Sequence, residues 1–478
     1  MKKTLIALTF SLFSAVTYAE DKPNILFIFA DDYAYDCVHS HGNSRIETPN
    51  LDKLTKSGTH FTHAYNSGAW GGAVCVASRT MMMTGKQLWN ARETPLGKLV
   101  EQNKFLPQRM RKAGYETYFS GKWHVGSPTL CQKSWVHTTH IRPGMPNQTP
   151  QRYKRKMVEG QPDTWSPFDK KKNGFWKGGK HWSEVLADDG VKFLSNAAKQ
   201  DKPFMMMLCF NAPHDPRQAP ESYQKKYPYK SIGVPKSFQK LYPYDIGSNK
   251  IRDEQLAPFP RTPYSVQVNR SEYYALITHM DTQVGRILDA LEKTGKAKNT
   301  IIIFTADHGL ACGHHGLLGK QNMYEHSVRV PWVISGPNIP AGKKVSSPIY
   351  LQDAMATCLD IAGADKADVQ FESVLPLLKG DDRKKLMYSS YMHVQRMVIS
   401  DGYKLIVYPV VKKMRLYHLD KDPGELKDLS ADPANKQKIA DLKKKLLAEM
   451  KRMNDPLDLE NPVKDMYKKA DAKKVPAK

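Results

Sequence analysis

Four short apolar runs, each followed by polar residues, constrain the fold of this 478-residue chain more than any other feature. They cover residues 25–30, 115–120, 204–210 and 301–306. Continuous apolar runs of this length, separated by helical patterns, are typical of parallel strands that are buried on both faces. We therefore predict an α/β fold with a large, mostly parallel sheet sandwiched by helices.

The polar residues that follow the runs carry chemically useful side chains. In chain order they are Asp31-Asp32, Gly121-Lys122-Trp123-His124, Asn211-Ala212-Pro213-His214 and Asp307-His308-Gly309. Ligands of parallel sheets bind at the carboxyl ends of the strands. We therefore expect all four polar tips to face one crevice, although they span nearly 300 residues of sequence.

Between the runs, capping signals and apolar spacing predict helices. Thr48 and Pro49 indicate a helix start and Gly58 its end, and apolar residues at helical spacing predict a second helix over 271–293. Residues 128–180 follow neither pattern and are rich in Trp, His, Pro and basic residues. Long irregular segments in compact domains are often functional, so we expect this one to extend over the crevice and contact substrate.

After residue 385 the pattern changes to short β-prone pieces at 398–408 and 415–419, with Asp401-Gly402 as a hairpin turn. An amphipathic helix is predicted over 433–453. We expect a smaller C-terminal antiparallel-sheet subdomain closed by this helix. The predicted division is a signal peptide over 1–19, a catalytic domain over 20–385, the subdomain over 386–455 and a basic tail over 456–478.

The first residues and the overall charge indicate where the protein acts. Lys2 and Lys3 precede an apolar run over 5–16 and the small-residue site Thr17-Tyr18-Ala19, as in a secretory signal. The run is too short for a stable membrane span. We predict a periplasmic or secreted protein without a membrane anchor. The formal net charge of +24 favours acidic partners.

Three aspartates at predicted strand ends indicate a metal ion. Asp31, Asp32 and Asp307 would repel one another strongly in one crevice unless a cation lay among them. Carboxylate oxygens favour calcium or magnesium over zinc. A single aspartate would more often cap a loop or a helix.

Cys75 precedes a predicted helical turn over 78–84 that Gly85 ends. Its side chain is therefore expected near a helix N-terminus, which favours anions. A buried cysteine is more often inert packing, so the surrounding residues decide its role. The six cysteines show no C-x-x-C spacing, and no disulfide is assigned.

The ordered set of motifs resembles the formylglycine-dependent sulfatases of the alkaline-phosphatase-like superfamily. The set consists of Asp31-Asp32, Cys75-Val76-Ala77-Ser78-Arg79, Gly121-Lys122-Trp123-His124, Pro213-His214-Asp215-Pro216, Asp307-His308-Gly309 and Gly319-Lys320. It covers nearly the whole chain after the signal segment. The resemblance implies that Cys75 is oxidised to formylglycine by a maturation enzyme and that its hydrated aldehyde is the nucleophile.

The resemblance also implies roles for the other motif residues. Asp31, Asp32, Asp307 and His308, together with the modified Cys75, would bind one Ca²⁺. Lys122 and Lys320 would bind sulfate oxygens, and Arg79 would hold the nucleophile. His124 would position or deprotonate the aldehyde hydrate, and His214 would protonate the leaving oxygen. Most family members have Pro where this chain has Ala77, and radical-type maturation enzymes are expected to accept Ala.

The expected substrate is a sulfated sugar of a polysaccharide, of the algal galactan or glycosaminoglycan type, and not nucleic acid. Candidate sugar contacts are His137, His140, Arg142, His393 and Arg396, with Trp135, Trp165, Trp176 and His181, each equally consistent with an ordinary surface or core residue. Two other functions stay open: a phosphodiester or phosphonate monoester hydrolase on the same fold, and a catalytically silent polyanion-binding protein.

Overall fold

The computed structural model describes residues 22–146, 150–383 and 386–463. The predicted signal peptide and most of the predicted basic tail, from residue 464 onward, lie outside these residues. None of the helices formed by the described residues is both long and apolar enough to cross a membrane.

The strands in the described residues are numbered along the chain. They are β1 (Asn24–Ala30), β2 (Gly58–Phe61), β3 (Ala64–Tyr65), β4 (Gly68–Ala69), β5 (Glu116–Lys122), β6 (His137–Arg142), β7 (Phe204–Cys209), β8 (Thr300–Ala306), β9 (Arg329–Val330), β10 (Trp332–Ser335), β11 (Lys343–Val345), β12 (Ile349–Tyr350), β13 (Met387–Tyr391), β14 (Gln395–Ser400), β15 (Tyr403–Tyr408) and β16 (Lys413–His418).

The α-helices are numbered in the same way. They are α1 (Pro49–Ser57), α2 (Val74–Thr84), α3 (Leu88–Glu93), α4 (Leu96–Glu101), α5 (Leu106–Lys112), α6 (Pro128–Ser134), α7 (Trp182–Ala197), α8 (Glu221–Gln224), α9 (Pro263–Lys293), α10 (Glu325–Val328), α11 (Asp353–Ala362), α12 (Leu375–Leu378) and α13 (Lys436–Arg452).

A sheet of eight strands in the order β11-β2-β10-β8-β1-β7-β5-β6 forms the centre of the protein. The four predicted strands are β1, β5, β7 and β8, and they lie side by side and parallel. β1 is buried along its whole length, as a strand covered on both faces must be. The predicted α/β fold with a large, mostly parallel sheet is confirmed. The antiparallel β10 was not predicted, and it joins β8 to the edge strands β2 and β11.

The predicted helices are present, with two starts earlier than expected. α1 begins at Pro49 and ends at Ser57 as predicted. α9 begins at Pro263 instead of residue 271, because Thr262 and Ser265 cap it: each hydroxyl accepts a hydrogen bond from the other residue's backbone N–H at 3.1 Å. α2 begins at Val74 instead of residue 78 and ends at Gly85, whose φ is 70°.

Only part of the irregular segment 128–180 extends toward the crevice as predicted. Its first part forms α6 and then β6, which pairs parallel with β5 and becomes the edge strand of the large sheet. This part of the stretch is therefore sheet structure. Pro143 and Gly144, directly after β6, reach the central crevice together with Met145.

A second sheet lies beside the first, with the order β16-β15-β14-β13-β4. Its hairpin turns at Asp401-Gly402 as predicted, with Ser400 paired to Tyr403. α13 packs on this sheet through Leu442, Leu446 and Met450. The predicted small antiparallel sheet closed by a helix is thus confirmed, while the exact division at residue 385 stays a prediction.

The fifth strand of this second sheet, β4, comes from the N-terminal part of the chain. Gly68 and Ala69 pair parallel with Ser390 and Tyr391. Gly68 has φ 96°, and a Cβ at this position would lie 2.7 Å from the backbone nitrogen and carbonyl carbon of Ser390. Glycine is therefore required for this pairing. β4 leads directly into α2, so the second sheet fixes one end of the segment that carries Cys75.

Candidate active site

The carboxyl ends of the central strands bring the predicted site residues together. Asp31 and Asp32 follow β1, Lys122 ends β5, His214 lies in the loop after β7, and Asp307 follows β8. Because these strands are neighbours and parallel, their ends meet at one edge of the sheet. Arg79 from α2 and Lys320 from the loop after β8 complete the group through the ion pairs described next.

Three carboxylates and three cations form the centre of this site. Lys122 donates to Asp31 Oδ2, Lys320 donates to both oxygens of Asp32 at 2.6 and 2.7 Å, and Arg79 Nε donates to Asp307 Oδ2 at 2.8 Å. All six side chains are at most 3% exposed. Their formal charges cancel in the absence of other groups.

Burial shifts the pKa values of these groups, and the neighbouring charges then shift the pKa values of Asp31 and Asp307 in opposite directions. Burial and the nearby Asp307 hold the pKa of Asp31 well above its ordinary value, although Lys122 opposes this. Burial also acts to raise the pKa of Asp307, but the surrounding cations, Arg79 foremost, outweigh it and lower that pKa. Burial opposes the charged form of Lys320, yet Asp32 raises its pKa well above the usual value.

The site has the donor atoms that a hard cation needs. One oxygen of each of Asp31 and Asp32, the sulfur of Cys75 and a ring nitrogen of His214 all lie within 4.8 Å of one another. Asp31 Oδ1 is buried and has no hydrogen-bond partner. A buried, unpaired carboxylate oxygen is costly unless a cation neutralises it. The residues therefore fit an oxygen-preferring divalent ion.

The other two predicted metal ligands lie at the same place but with partners of their own. Asp307 Oδ1 accepts a hydrogen bond from the backbone N–H of Asp32 at 3.1 Å. A ring nitrogen of His308, Nδ1, lies 3.1 Å from the carbonyl oxygen of Gly309. Burial lowers the pKa of His308 to about 4, so its ring is neutral near pH 7 and able to bind a metal.

Cys75 lies in the first turn of α2, where the sequence placed it near a helix N-terminus. Its side chain is 2% exposed and lines a cavity of about 480 Å³. A helix N-terminus favours negative charge through its free N–H groups. All six cysteines are buried and unbonded to one another.

His124 lies across this cavity, two residues after Lys122, with φ 55°. Its ring covers Gly144 so closely that no side chain could be placed there. Burial, then Lys122 and Arg79, lower the pKa of His124 to about 2, and its Nδ1 has no hydrogen-bond partner. The imidazole is therefore neutral and has a free nitrogen.

His214 has the opposite tendency. Burial and Lys320 lower its pKa, but the surrounding carboxylates, Asp215 foremost, outweigh them and raise it. Nδ1 lies 3.0 Å from Asp215 Oδ1, and Nε2 lies 3.6 Å from Asp32 Oδ2. The two histidines of the cavity thus differ in the way that a base and an acid would.

Sequence reasoning assigned no role to three residues that hold His214. Asp215 accepts a hydrogen bond from the Tyr153 hydroxyl and lies 3.5 Å from Arg252 Nη2. Arg252 also pairs with Asp253 at 2.7 Å, and both line the cavity opposite Cys75. Tyr153 and Asp215 are 62 residues apart, so no local pattern could have joined them.

The candidate sugar contacts lie elsewhere. His137 pairs with Glu116, His140 with Asp189, and Arg142 stacks on Trp182 at 4.2 Å. These three, like the other two main candidates His393 and Arg396, do not line the cavity that contains Cys75. His393 is buried in the turn between β13 and β14. The aromatic and histidine candidates Trp135, Trp165, Trp176 and His181 are buried as well.

Arg396 is the clearest departure from the predicted sugar contacts. It is fully buried and pairs with Asp455 through Nε at 2.5 Å and Nη2 at 2.8 Å. Its Nη1 donates to the carbonyl oxygens of Met392 and Gln395, each at 2.7 Å. Arg396 therefore links the second sheet to the segment after α13, and it does not line the cavity.

Comparison with known families decides the class of protein. The sequence matches the family described as Sulfatase over residues 23–364. The chain belongs to the sulfatase family. A second match, described as N-sulphoglucosamine sulphohydrolase, C-terminal, covers residues 313–452 of this sulfatase and so includes β13 to β16 of the second sheet. The resemblance inferred from the motifs is confirmed, and the protein is a sulfuric ester hydrolase.

Relatives match the sulfatase over most of its length. An arylsulfatase of Clostridium perfringens is 28% identical and covers 90% of this chain and 94% of its own length. An N-acetylglucosamine-6-O-sulfatase of Bacteroides thetaiotaomicron is 27% identical, covering 87% and 84%. Among solved structures, one described as BT4656 with D-glucosamine-2-N,6-O-disulfate has a TM-score of 0.70 at 22% identity, covering 92% of this chain and 100% of its own.

Proposed function

We propose that this sulfatase releases sulfate from a sulfated saccharide and that oxidised Cys75 provides the nucleophile. The position of Cys75 carries the proposal: it lies in the first turn of α2, on the wall of a cavity that also holds Lys320, His124 and His214. The formylglycine made from a cysteine supplies an oxygen nucleophile when its aldehyde is hydrated. A cysteine that served only to pack the core would not require charged and titratable side chains such as Lys320, His124 and His214 around it.

The side chains around Cys75 have properties that suit each part of the reaction. Lys122 and Lys320 are buried ammonium groups able to bind sulfate oxygens and to stabilise charge as the S–O bond breaks. His124, neutral and with a free nitrogen, accepts a proton from the nucleophile. His214, whose pKa is raised, donates a proton to the departing sugar oxygen.

We further propose calcium as the resident ion, held by Asp31, Asp32, Asp307 and His308 with the modified Cys75. The unpaired Asp31 Oδ1 supports this, and the carboxylate-rich set favours calcium over zinc. A bound divalent ion supplies positive charge at the sulfate group. It also tips the balanced set of three carboxylates and three cations toward net positive, which suits an anionic substrate.

The relatives support a saccharide substrate. One acts on N-acetylglucosamine 6-O-sulfate by its name, another is an ulvan-active sulfatase of Formosa agariphila, and one solved neighbour is described as a 2-O GAG sulfatase. The net charge of +24 agrees with an acidic polysaccharide. We propose that the enzyme is exported and that a maturation enzyme tolerant of Ala77 oxidises Cys75.

The mass of the peptide that contains Cys75, from enzyme expressed in its native host, tests the nucleophile. We expect the mass of formylglycine together with release of sulfate from aryl sulfates. An unmodified thiol in active enzyme would contradict the mechanism. An unmodified thiol in inactive enzyme that still retains sulfated polysaccharide would favour the polyanion-binding alternative.

A phosphonate monoester hydrolase is the second candidate, because one from Agrobacterium radiobacter has a TM-score of 0.71 at 21% identity, covering 90% of this chain and 96% of its own. Sulfate and phosphate esters have the same tetrahedral shape and differ mainly in charge. We expect kcat/KM for an aryl sulfate to exceed that for an aryl phosphonate monoester or phosphodiester. The reverse order would replace the sulfatase proposal.

A further inference from the structure

Three buried arginines lie in or near the loop that carries His214. Arg152, Arg155 and Arg217 are each at most 4% exposed. We call them, with Glu272 and Asp163, the arginine cluster. Guanidinium groups stay charged at any pH that a folded protein tolerates, so each buried arginine needs a compensating partner.

Two of the arginines have carboxylate partners. Arg155 donates to both oxygens of Asp163 and to Glu272 Oε1, the last at 2.8 Å. Arg152 pairs with the other oxygen of Glu272, Oε2, at 2.9 Å. Both carboxylates therefore pair with these two arginines.

Arg217 differs from both. It is fully buried, and within the described residues it has no ion pair with a carboxylate. Its Nη1 donates to the side-chain and backbone oxygens of Asn269, at 2.8 and 3.2 Å, and both of these are neutral. The cluster thus contains three positive charges and two negative ones. The next nearest acid in sequence, Asp215, is already paired with His214 and Arg252.

One edge of the Arg217 guanidinium group has no hydrogen-bond partner. Nε and Nη2 of Arg217 are both buried without a hydrogen-bond partner. These two nitrogens share one edge of the planar guanidinium group, and this edge can bind an acceptor through two parallel N–H bonds. Nε and Nη1 of Arg152 are buried without a partner as well.

Arg152 and Arg217 also approach each other. Both donate to the same atom, Asn269 Oδ1, at 2.9 and 2.8 Å. Two like charges that share one neutral acceptor repel each other in a medium of low dielectric. Burial, and then the neighbouring arginines, lower the pKa of Arg152 to about 10, although Glu272 and Asp215 oppose them.

We propose that the arginine cluster binds one small monovalent anion of the halide class at the free edge of Arg217. One negative charge balances the cluster, and one spherical anion accepts from Nε and Nη2 together. Arg217 lies three residues after His214 and stacks on Tyr273, whose hydroxyl donates to the carbonyl oxygen of Asp32 at 2.5 Å. The anion therefore stabilises the loop that carries the candidate general acid His214, at a position separate from the sulfate-binding cavity.

A bromide-soaked crystal of the wild-type enzyme tests the site directly. We expect an anomalous difference peak within hydrogen-bonding distance of Nε and Nη2 of Arg217. An ordered water there, with no anomalous signal, would overturn the proposal. So would a sulfate ion at that edge, since it carries two charges where the cluster lacks one.

Thermal unfolding gives a second, independent test. The wild-type Tm is expected to rise with the logarithm of chloride or bromide concentration, relative to gluconate at equal ionic strength. Arg217→Met should lose this dependence, and Arg286→Met, which removes an exposed arginine paired with Asp188, should keep it. If Arg217→Met does not fold, Arg152→Met serves instead, because it also brings the cluster to balance.

A halide effect of the same size in Arg217→Met or Arg152→Met would contradict the proposal. Neither measurement depends on Cys75 oxidation or on turnover. Failure of the halide site and failure of the proposed sulfatase mechanism are therefore distinguished.

Discussion

The active site and the ion pairs that link the second sheet to neighbouring segments both bury charged side chains, but they differ in how completely those charges are paired. We call the second group, Arg396 with Asp455 and Lys404 with Glu325 and Glu425, the joint. In the joint, Arg396 uses Nε and Nη2 on Asp455 and Nη1 on two backbone carbonyls. In the active site, Asp31 Oδ1 and His124 Nδ1 are buried without a partner. Burial alone does not mark function. Buried polar atoms that have no hydrogen-bond partner within a charged site are the better indication of function, because each lowers stability unless a ligand or an ion binds it.

A second ion cluster in the joint also pairs opposite charges. Lys404 donates to Glu425 Oε1 at 2.8 Å and to the carbonyl oxygen of Met323 at 3.1 Å. Its ammonium group also lies 2.8 Å from Glu325 Oε1, in an ion pair that is not a hydrogen bond, so both carboxylates are compensated by its charge. We therefore expect changes in the joint to alter stability and changes in the active site to alter turnover.

The largest expected effect is the loss of the nucleophile. Cys75→Ala should reduce kcat/KM for an aryl sulfate at least about a thousandfold, because no remaining side chain of the cavity can form the covalent intermediate. The far-UV circular dichroism and Tm should stay close to those of wild type. Cys358→Ala, at a buried cysteine of α11, is the matched control and should keep its turnover. Full activity in Cys75→Ala would remove the distinction between the two regions.

Metal removal should also act on the active site alone. Dialysis against a chelator is expected to lower turnover at least about a hundredfold, since a bound cation contributes several kcal/mol of charge stabilisation. Calcium should restore it, and the bound-metal content of the purified enzyme can be measured by mass spectrometry. Recovery with zinc but not calcium would contradict the assignment of the ion. The Asp455→Asn enzyme, if folded, should respond to chelation as wild type does.

In the joint, Asp455→Asn should destabilise the protein by about 3–5 kcal/mol, because it leaves the fully buried Arg396 without its counter-charge. Urea unfolding measures this change. The folded fraction should keep the wild-type kcat. Asp458→Asn, at an exposed position three residues later, should leave the urea midpoint unchanged. A loss of kcat without a loss of stability would restore Arg396 as a substrate contact.

The smallest effect concerns an exposed pair on the same second sheet. Lys445 donates to Asp401 Oδ2 at 2.7 Å, and the two side chains are 42% and 70% exposed. Lys445→Gln should cost less than about 1 kcal/mol, and the difference should shrink in high salt. A cost as large as that of Asp455→Asn would show that the joint depends on the number of ion pairs and not on their burial.

The strands and their polar ends could be predicted because both signals are local. β1, β7 and β8 are nearly continuous apolar runs, and β5 mixes aromatic with polar residues. The polar end of each strand follows within four residues, so Asp31, Lys122 and Asp307 were found together. The parallel arrangement then required them to meet. The position of Cys75 could be predicted for a similar reason, since Gly85 ends α2.

The contacts that depend on distant residues could not be predicted. Arg142 and Arg396 carry the same guanidinium as Arg252, yet the first stacks on Trp182 and the second binds Asp455, while only the third lines the cavity. No spacing in the sequence separates these three outcomes. Asp215, Tyr153 and Arg252 come together only after β7, the segment after β6 and the loop before α9 have packed.

The pairing of β4 with β13 has a consequence for the order of events during synthesis. Ser390, which covers Gly68, is 315 residues after Cys75 in the chain. At about 5–20 residues per second, Cys75 is synthesised roughly 15–60 s before β13, the strand that pairs with β4, and the rest of the second sheet follows later still. In the finished protein the cysteine is 2% exposed. If Cys75 is oxidised as proposed, the maturation enzyme would have its access during this interval, while the nascent chain still lacks its last strands.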